Sequence, residues 1–262
     1  MRKPIFAANW KMYKTISETE EYLESFASYL TDYEVKSEII IIPPFTAISD
    51  ARKLIDLLWT EKKVALGAQN LFWEDFGPFT GEICSDMLVD AGCQYVIIGH
   101  SERRRNFSES GAIINKKIAA ALKSGLKPIV CIGETKEERV AERTFAVLES
   151  QLKECFDYFE KDDLSETVVA YEPVWAIGTG LTATPEQAQE AHTFIREKIA
   201  IMFGDDFAQN KIRILYGGSV KPGNIKEIMA NRDVDGALVG GASLEPEDFF
   251  KIISFDRPEE GC

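Results

Sequence analysis

Glu172 ends an apolar run and opens a loop of odd composition, AYEPVWAIGTGLTATPEQA over residues 170–188. A carboxylate placed directly after a buried strand is costly to leave unpaired, and burial tends to raise its pKa. In that state, beside an imidazole and an anion site, it suits abstraction of a proton next to a carbonyl. A structural ion pair would also account for it. The imidazole available is His100, which ends YVIIGH and is followed at once by Ser101 and Glu102, a polar setting. The second histidine, His192, falls inside an amphipathic segment and reads as structural.

Lys11, with Asn9 two residues before it, ends the apolar N-terminal run and is the cation best placed for an anionic substrate, although a solvated surface position would fit it too. The glycines of YGGSV (216–220) and the pair Gly240, Gly241 would let backbone N–H groups approach an anion with no Cβ in the way. YGGS alone is equally compatible with a tight turn. There is no GxGxxG after the first strand, no Walker motif, no HExxH and no clustered histidine set, so neither a nucleotide cofactor nor a catalytic metal is implied.

These residues need a scaffold, and the chain supplies a repeating one. Continuous β-branched runs begin near residues 4, 38, 64, 95, 128, 167, 212 and 236, the pattern of parallel strands buried on both faces. Between them lie helical periodicities: Leu23, Phe26, Leu30; Ile114, Ile118, Leu122; Ala188, Ala191, Ile195, Met202. The last of these opens with Thr184, Pro185 and Gln187, an N-cap, a proline at the first helical position and a capping-box partner. Eight βα units without a linker predict an α/β fold, a (β/α)8 barrel spanning 1–255 as one domain, with 256–262 a short acidic tail; a doubly wound open sheet is the alternative. In a barrel, every candidate above falls at the C-terminal end of a strand, the face where barrel active sites lie.

With 262 residues, 45% of them apolar and 28% charged, the chain can bury a substantial core. Its net charge of −13 argues against broad binding to nucleic acid or to a membrane surface, and obliges any anionic substrate to be captured by local positive groups. The five cysteines are odd in number, lack a CxxC pair and are widely spread, which suggests reduced thiols, Cys131 among them, and a cytoplasmic setting. No run has the length of a membrane span, and the N-terminus has no signal-peptide stretch.

The segments NWK, GAQN, TGEI, GHSERR, CIGE, AYEPVWAIGTG, YGGSV and GGASL occur in the order found in the triosephosphate isomerase family, covering residues 8–244. The resemblance implies a cofactor-independent enzyme that interconverts dihydroxyacetone phosphate and D-glyceraldehyde 3-phosphate. By motif, Glu172 resembles the base, His100 the electrophile that polarises the carbonyl, Lys11 the positive charge facing the substrate and Asn9 its hydrogen-bonding neighbour. Gly178, Ser219, Gly240 and Gly241 resemble phosphate contacts, with Ser101 and Glu102 in support. The family is itself a standard illustration of a glutamate base beside a neutral imidazole, so that protonation state belongs to the resemblance and not to these residues. Residues 173–183 resemble its mobile lid, likewise a familiar example, with Leu181 standing where lysine is often expected.

The resemblance also implies a homodimer through loop 69–82, with Gln69 at its start and Glu82 at its end. The loop is long for a βα connection and carries Leu71, Phe72, Trp73, Phe76 and Phe79, which would expose an apolar patch on a monomer. Gln69 and Thr80 are then expected to brace Asn9 and Lys11 of the other chain. Two further readings are an aldolase-like barrel, which needs a Schiff-base lysine at a strand end that only Lys11 could supply, and a non-catalytic barrel that merely binds.

Overall fold

The computed structural model describes residues 2–59, 64–177 and 183–255. Eight parallel strands close on themselves in chain order: β1 (Ile5–Asn9), β2 (Glu38–Ile42), β3 (Val64–Ala68), β4 (Tyr95–Ile98), β5 (Lys127–Ile132), β6 (Val168–Tyr171), β7 (Arg213–Tyr216) and β8 (Gly236–Val239). The closing pair is β1 with β8, in register from Ile5↔Gly236 to Ala8↔Val239. Each expected strand begins within a residue or so of an observed one, and the open-sheet alternative is excluded by the closure.

The continuous apolar runs follow from two buried faces. Alternate strand residues such as Ile5, Ala7, Ile40, Ile42, Val168 and Ala170 form one cluster, to which all eight strands contribute. Their neighbours Phe6, Ala8, Ile39, Ile41 and Val169 join a second, larger cluster with the helices. With a side-chain period of two and both faces covered, no strand position is left for a polar residue until the strand ends. The inward row then runs on into chemistry: Ile5 and Ala7 to Asn9, Val168 and Ala170 to Glu172.

The helices pack as their periodicity indicates. Leu23, Phe26 and Leu30 are buried on the helix Ile16–Leu30, Ile114 and Ile118 on Gly111–Lys123, and Ala188, Ala191 and Ile195 on Pro185–Phe203; Leu122 and Met202, at the ends of their stripes, are only half-buried. Thr184 caps the last of these helices in a full capping box with Gln187.

Candidate active site

Glu172 and His100 meet at the strand ends: Oε1 of Glu172 lies 3.0 Å from Nε2 of His100, with both side chains buried. The other carboxylate oxygen accepts the backbone N–H of Ser101 at 2.8 Å. On the far side of the ring, Nδ1 accepts the backbone N–H of Glu102 at 3.2 Å, so that nitrogen carries no proton and we assign the ring hydrogen to Nε2. The ring is therefore a donor aimed at the carboxylate.

Burial alone would push the Glu172 carboxyl up, but the His100 ring, the Ser101 N–H and the Lys11 ammonium outweigh it, and the group is held below the usual carboxylate range. This corrects the expectation of a raised pKa, which took the desolvation of a buried carboxylate and left out its donors. Burial likewise pulls His100 down, while the Glu172 carboxylate, and Glu102 beyond it, carry it net upward. The larger part of that upward pull comes from Glu172 and requires the two side chains to face each other. Against it stand burial and the Lys11 charge, which favour the neutral ring, and the N–H donated to Nδ1.

Lys11 stands beside this pair in a left-handed backbone conformation (φ 53), which a lysine adopts only when its surroundings fix it. Three contacts do so. Its N–H donates to Oδ1 of Asn9 at 3.1 Å, its carbonyl accepts from Nε2 of Gln69 at 2.7 Å, and its ammonium is paired with Oε1 of Glu102 at 2.6 Å. Glu102 thus orients the imidazole through its backbone and the lysine through its side chain.

Asn9, Lys11, His100, Glu172, Ser219, Gly240 and Gly241 line a single cavity of about 550 Å³. All four catalytic-type candidates and all the described phosphate candidates are brought together; Gly178 and Leu181 lie outside the described residues. The volume is enough for a small phosphorylated molecule, and the Glu172 carboxylate and the His100 ring are part of its lining.

Some of the glycines serve a purpose the sequence reading did not give them. A Cβ at Gly217 would lie 3.0 Å from Cγ of Glu172, and one at Gly133 would lie 1.8 Å from the Glu172 backbone oxygen. These two positions are kept bare so that the neighbouring strand ends can close around Glu172.

A second buried carboxylate was missed. Glu134, wholly buried, accepts the hydroxyl of Tyr171 at 3.1 Å on each oxygen, Nε1 of Trp175 at 2.8 Å and Nη1 of Arg139 at 3.2 Å, while its carbonyl accepts Val174 N–H at 3.1 Å. It therefore anchors the start of the loop that follows Glu172. The signal was available: CIGE places a glutamate after β5 as AYE does after β6.

Loop 69–82 departs from expectation in two ways. Leu71 is fully buried in its own barrel, and Gln69 braces Lys11 of its own chain. Phe76 is 88% exposed and Phe79 38%, whereas Phe72 and Trp73 are half-buried, their rings tilted against each other at 4.1 Å between centroids. Within this loop the exposed apolar surface is thus confined to Phe76 and Phe79 at its tip. His192 is buried, its Nδ1 2.7 Å from the Ala188 carbonyl oxygen, consistent with a structural role. Cys84, Cys93, Cys131 and Cys155 are free and buried, and burial pushes the Cys131 thiol well up.

Among the described residues no group of three or more His, Cys, Asp or Glu side chains could hold a metal ion, and no helix is long and apolar enough to cross a membrane. A family model described as triosephosphate isomerase matches residues 4–256. Similar proteins, each named triosephosphate isomerase, come from Dictyoglomus thermophilum, 51% identical across 97% of this chain and 99% of its own, and from Geotalea uraniireducens, 49% identical across 98% and 100%. A third, from Endomicrobium trichonymphae, is 48% identical across 98% of this chain and 100% of its own.

Proposed function

The chain belongs to the triosephosphate isomerase family, and from that membership we propose how its side chains divide the work. The activity is a triose-phosphate isomerase's: an intramolecular isomerase of the (β/α)8 class. Dihydroxyacetone phosphate and D-glyceraldehyde 3-phosphate differ by the position of one proton pair on adjacent carbons, so the protein must move protons without losing the phosphate. Glu172 takes a proton from the carbon beside the carbonyl and returns it to the neighbouring carbon. Nε2–H of His100 donates to the carbonyl oxygen and stabilises the enediolate that forms between the two transfers, during which the hydroxyl proton passes from the first oxygen to the former carbonyl oxygen, so that both carbons and both oxygens balance.

The observation that carries this reading is the 3.0 Å approach of the Glu172 carboxylate to the His100 donor on the wall of the cavity. A substrate entering between them exchanges that contact for two of its own, one to carbon and one to oxygen. Ser101 N–H then serves as the resting place of the carboxylate. Lys11, held by Glu102 and Asn9, supplies positive charge, and Ser219, Gly240 and Gly241 bind the phosphate together with Gly178.

We further propose that residues 1–255 act as one domain and that the protein is a cytoplasmic homodimer joined through loop 69–82. The dimer reading is supported by Phe76 and Phe79, exposed together at the loop tip, and the cytoplasmic reading by the four free cysteines. Purified protein treated with a chelator and given dihydroxyacetone phosphate alone is expected to yield D-glyceraldehyde 3-phosphate, read by a coupled dehydrogenase. Absence of conversion would overturn the reading.

A further inference from the structure

The cavity wall is not as positive as a dianionic substrate requires. Its charged groups include Lys11 and Lys221 on one side of the balance and Glu172 and Asp248 on the other, while Glu102 sits 2.6 Å from the Lys11 ammonium. The chain around it has a net charge of −13. An approaching phosphate therefore meets, at long range, a repulsive field with a small neutral opening.

Of the two lysines on that wall, Lys221 is the one held at the surface, where an incoming anion arrives. It lies on the same wall as Ser219 and Gly240 yet is exposed, and no acidic side chain pairs with it among the described residues. Its backbone is fixed beside the phosphate candidates by Asn224, whose Oδ1 accepts the Lys221 N–H at 2.7 Å and whose Nδ2 donates to the Ser219 carbonyl at 3.0 Å. An ammonium on a flexible stem at the mouth, rooted in a bracketed turn, acts on the substrate before the buried groups can.

We infer that Lys221 is the capture residue for the substrate phosphate, governing encounter and binding without taking part in proton transfer. Lys11 has its charge spent on Glu102 and on the reacting end; Lys221 is the remaining cation of the wall, and without it the opening would be net negative. The inference rests on the assigned phosphate site, and it divides capture at the opening, by Lys221, from charge at the reacting end, by Lys11. Its specific consequence is a salt-dependent kcat/KM with a salt-independent kcat.

The test compares wild type with Lys221→Met, Lys221→Glu and Lys221→Arg, with Lys226→Met, an exposed lysine on the following helix, as control. At low ionic strength, where the screening length is about 30 Å, Lys221→Met is expected to lower kcat/KM about fivefold with kcat within about twofold, and Lys221→Glu to lower it further. Lys221→Arg should restore it and Lys226→Met should leave it alone. The differences should shrink towards none near ~1 M salt, where the screening length is about 3 Å. In parallel, inorganic phosphate titrated calorimetrically should bind Lys221→Met several-fold more weakly than wild type. A Lys221→Met enzyme with wild-type kcat/KM at low salt, or with a loss that salt does not diminish, overturns the inference. If wild type proves not to isomerise, the proposed reaction fails while the phosphate titration still decides the role of Lys221.

Discussion

Glu172 Oε1 and His100 Nε2 stand 3.0 Å apart, which leaves no space for a carbon atom between base and donor. On the proposed mechanism, substrate binding parts them, and the carboxylate exchanges the Ser101 N–H, its other partner, for a carbon acid. Glu172→Gln keeps the shape and one acceptor but cannot take a proton. Turnover is expected to fall by at least the ~10²–10⁴-fold typical of a lost general base, with inorganic phosphate still bound. Turnover near that of wild type would remove Glu172 from the mechanism.

Gly133 gives an independent test of positioning. A methyl group there would lie 1.8 Å from the Glu172 backbone oxygen, a distance no relaxation of side chains can relieve, so β5 and β6 must move apart at their ends. Glu172 N–H is also bonded to the Ile132 carbonyl at 2.8 Å, so the displacement reaches the catalytic backbone directly. Gly133→Ala should lower kcat by about a hundredfold, the order expected for a misplacement near 1 Å, while circular dichroism stays native. Unchanged kcat in a folded variant would show that the site tolerates far more slack than the geometry implies.

For Lys11 the expectation is a double loss. Lys11→Met removes the positive charge beside the reacting end and leaves Glu102 without its partner, so activity should become undetectable and inhibitor binding weaker. Lys123, which pairs with Asp75 on the surface, is the comparison: Lys123→Met should leave steady-state kinetics unaltered. Equal effects in the two variants would make Lys11 an ordinary surface charge.

The strands and most of the site were legible because a barrel buried on both faces admits polar residues only where strands end, so position alone marked Asn9, His100 and Glu172. What was not legible depended on contacts across strands. The lowered pKa of Glu172 comes from donors at Ser101 and His100, some seventy residues away in sequence, and the brace on Lys11 comes from Gln69. Leu71 looked like part of an exposed patch because apolar residues in a loop carry no mark of direction; the structure turns it into the core and Phe76 outwards. Glu134 carries the same strand-end signature as Glu172, so its position was legible; that it anchors through Tyr171, Trp175 and Arg139 was not.

Stability should carry a pH signature from His192. Burial pushes this imidazole from 6.5 down to about 4, so in the folded chain it resists a proton that the unfolded chain accepts. Between those values the unfolded state binds more protons, and stability falls as pH falls, with full stability above 6.5. From pH 6.5 to about 5 the contribution is on the order of 2 kcal/mol, at about 1.36 kcal/mol per unit. Glu172 has the lowered carboxylate's sign: its stabilisation is present above 4.5 and lost only as pH falls through its folded value, so it adds nothing in the His192 window. Urea unfolding of His192→Gln and wild type, at fixed protein concentration, should show a smaller loss between pH 7 and pH 5 in the variant. Parallel losses would assign the acid sensitivity elsewhere.

The last expectation concerns the loop tip. Phe79 rests against Phe72, 4.7 Å between ring centroids, while Phe76 projects past it almost wholly exposed, and Thr80 beside them is exposed as well. Gln69 and Leu71 are already committed to their own barrel, so of this loop it is the tip that is free to meet a second copy. The loop's root nevertheless holds Lys11: Gln69 donates to the Lys11 carbonyl, and the loop returns through Phe72 N–H bonded to the Ile83 carbonyl at 2.8 Å. A partner that clamps the tip would stiffen that root and keep the strained lysine in place; without it, the left-handed conformation at Lys11 can relax. Thr80→Arg introduces a charge that the contact would have to bury unpaired, at a cost of about 3–5 kcal/mol, and should shift the protein towards monomer. Light scattering and the coupled assay on the same sample are expected to show mass and turnover falling together. A monomeric variant with full turnover would break the link between tip and site, and a monomeric wild type would leave Phe76 and Phe79 without a partner copy.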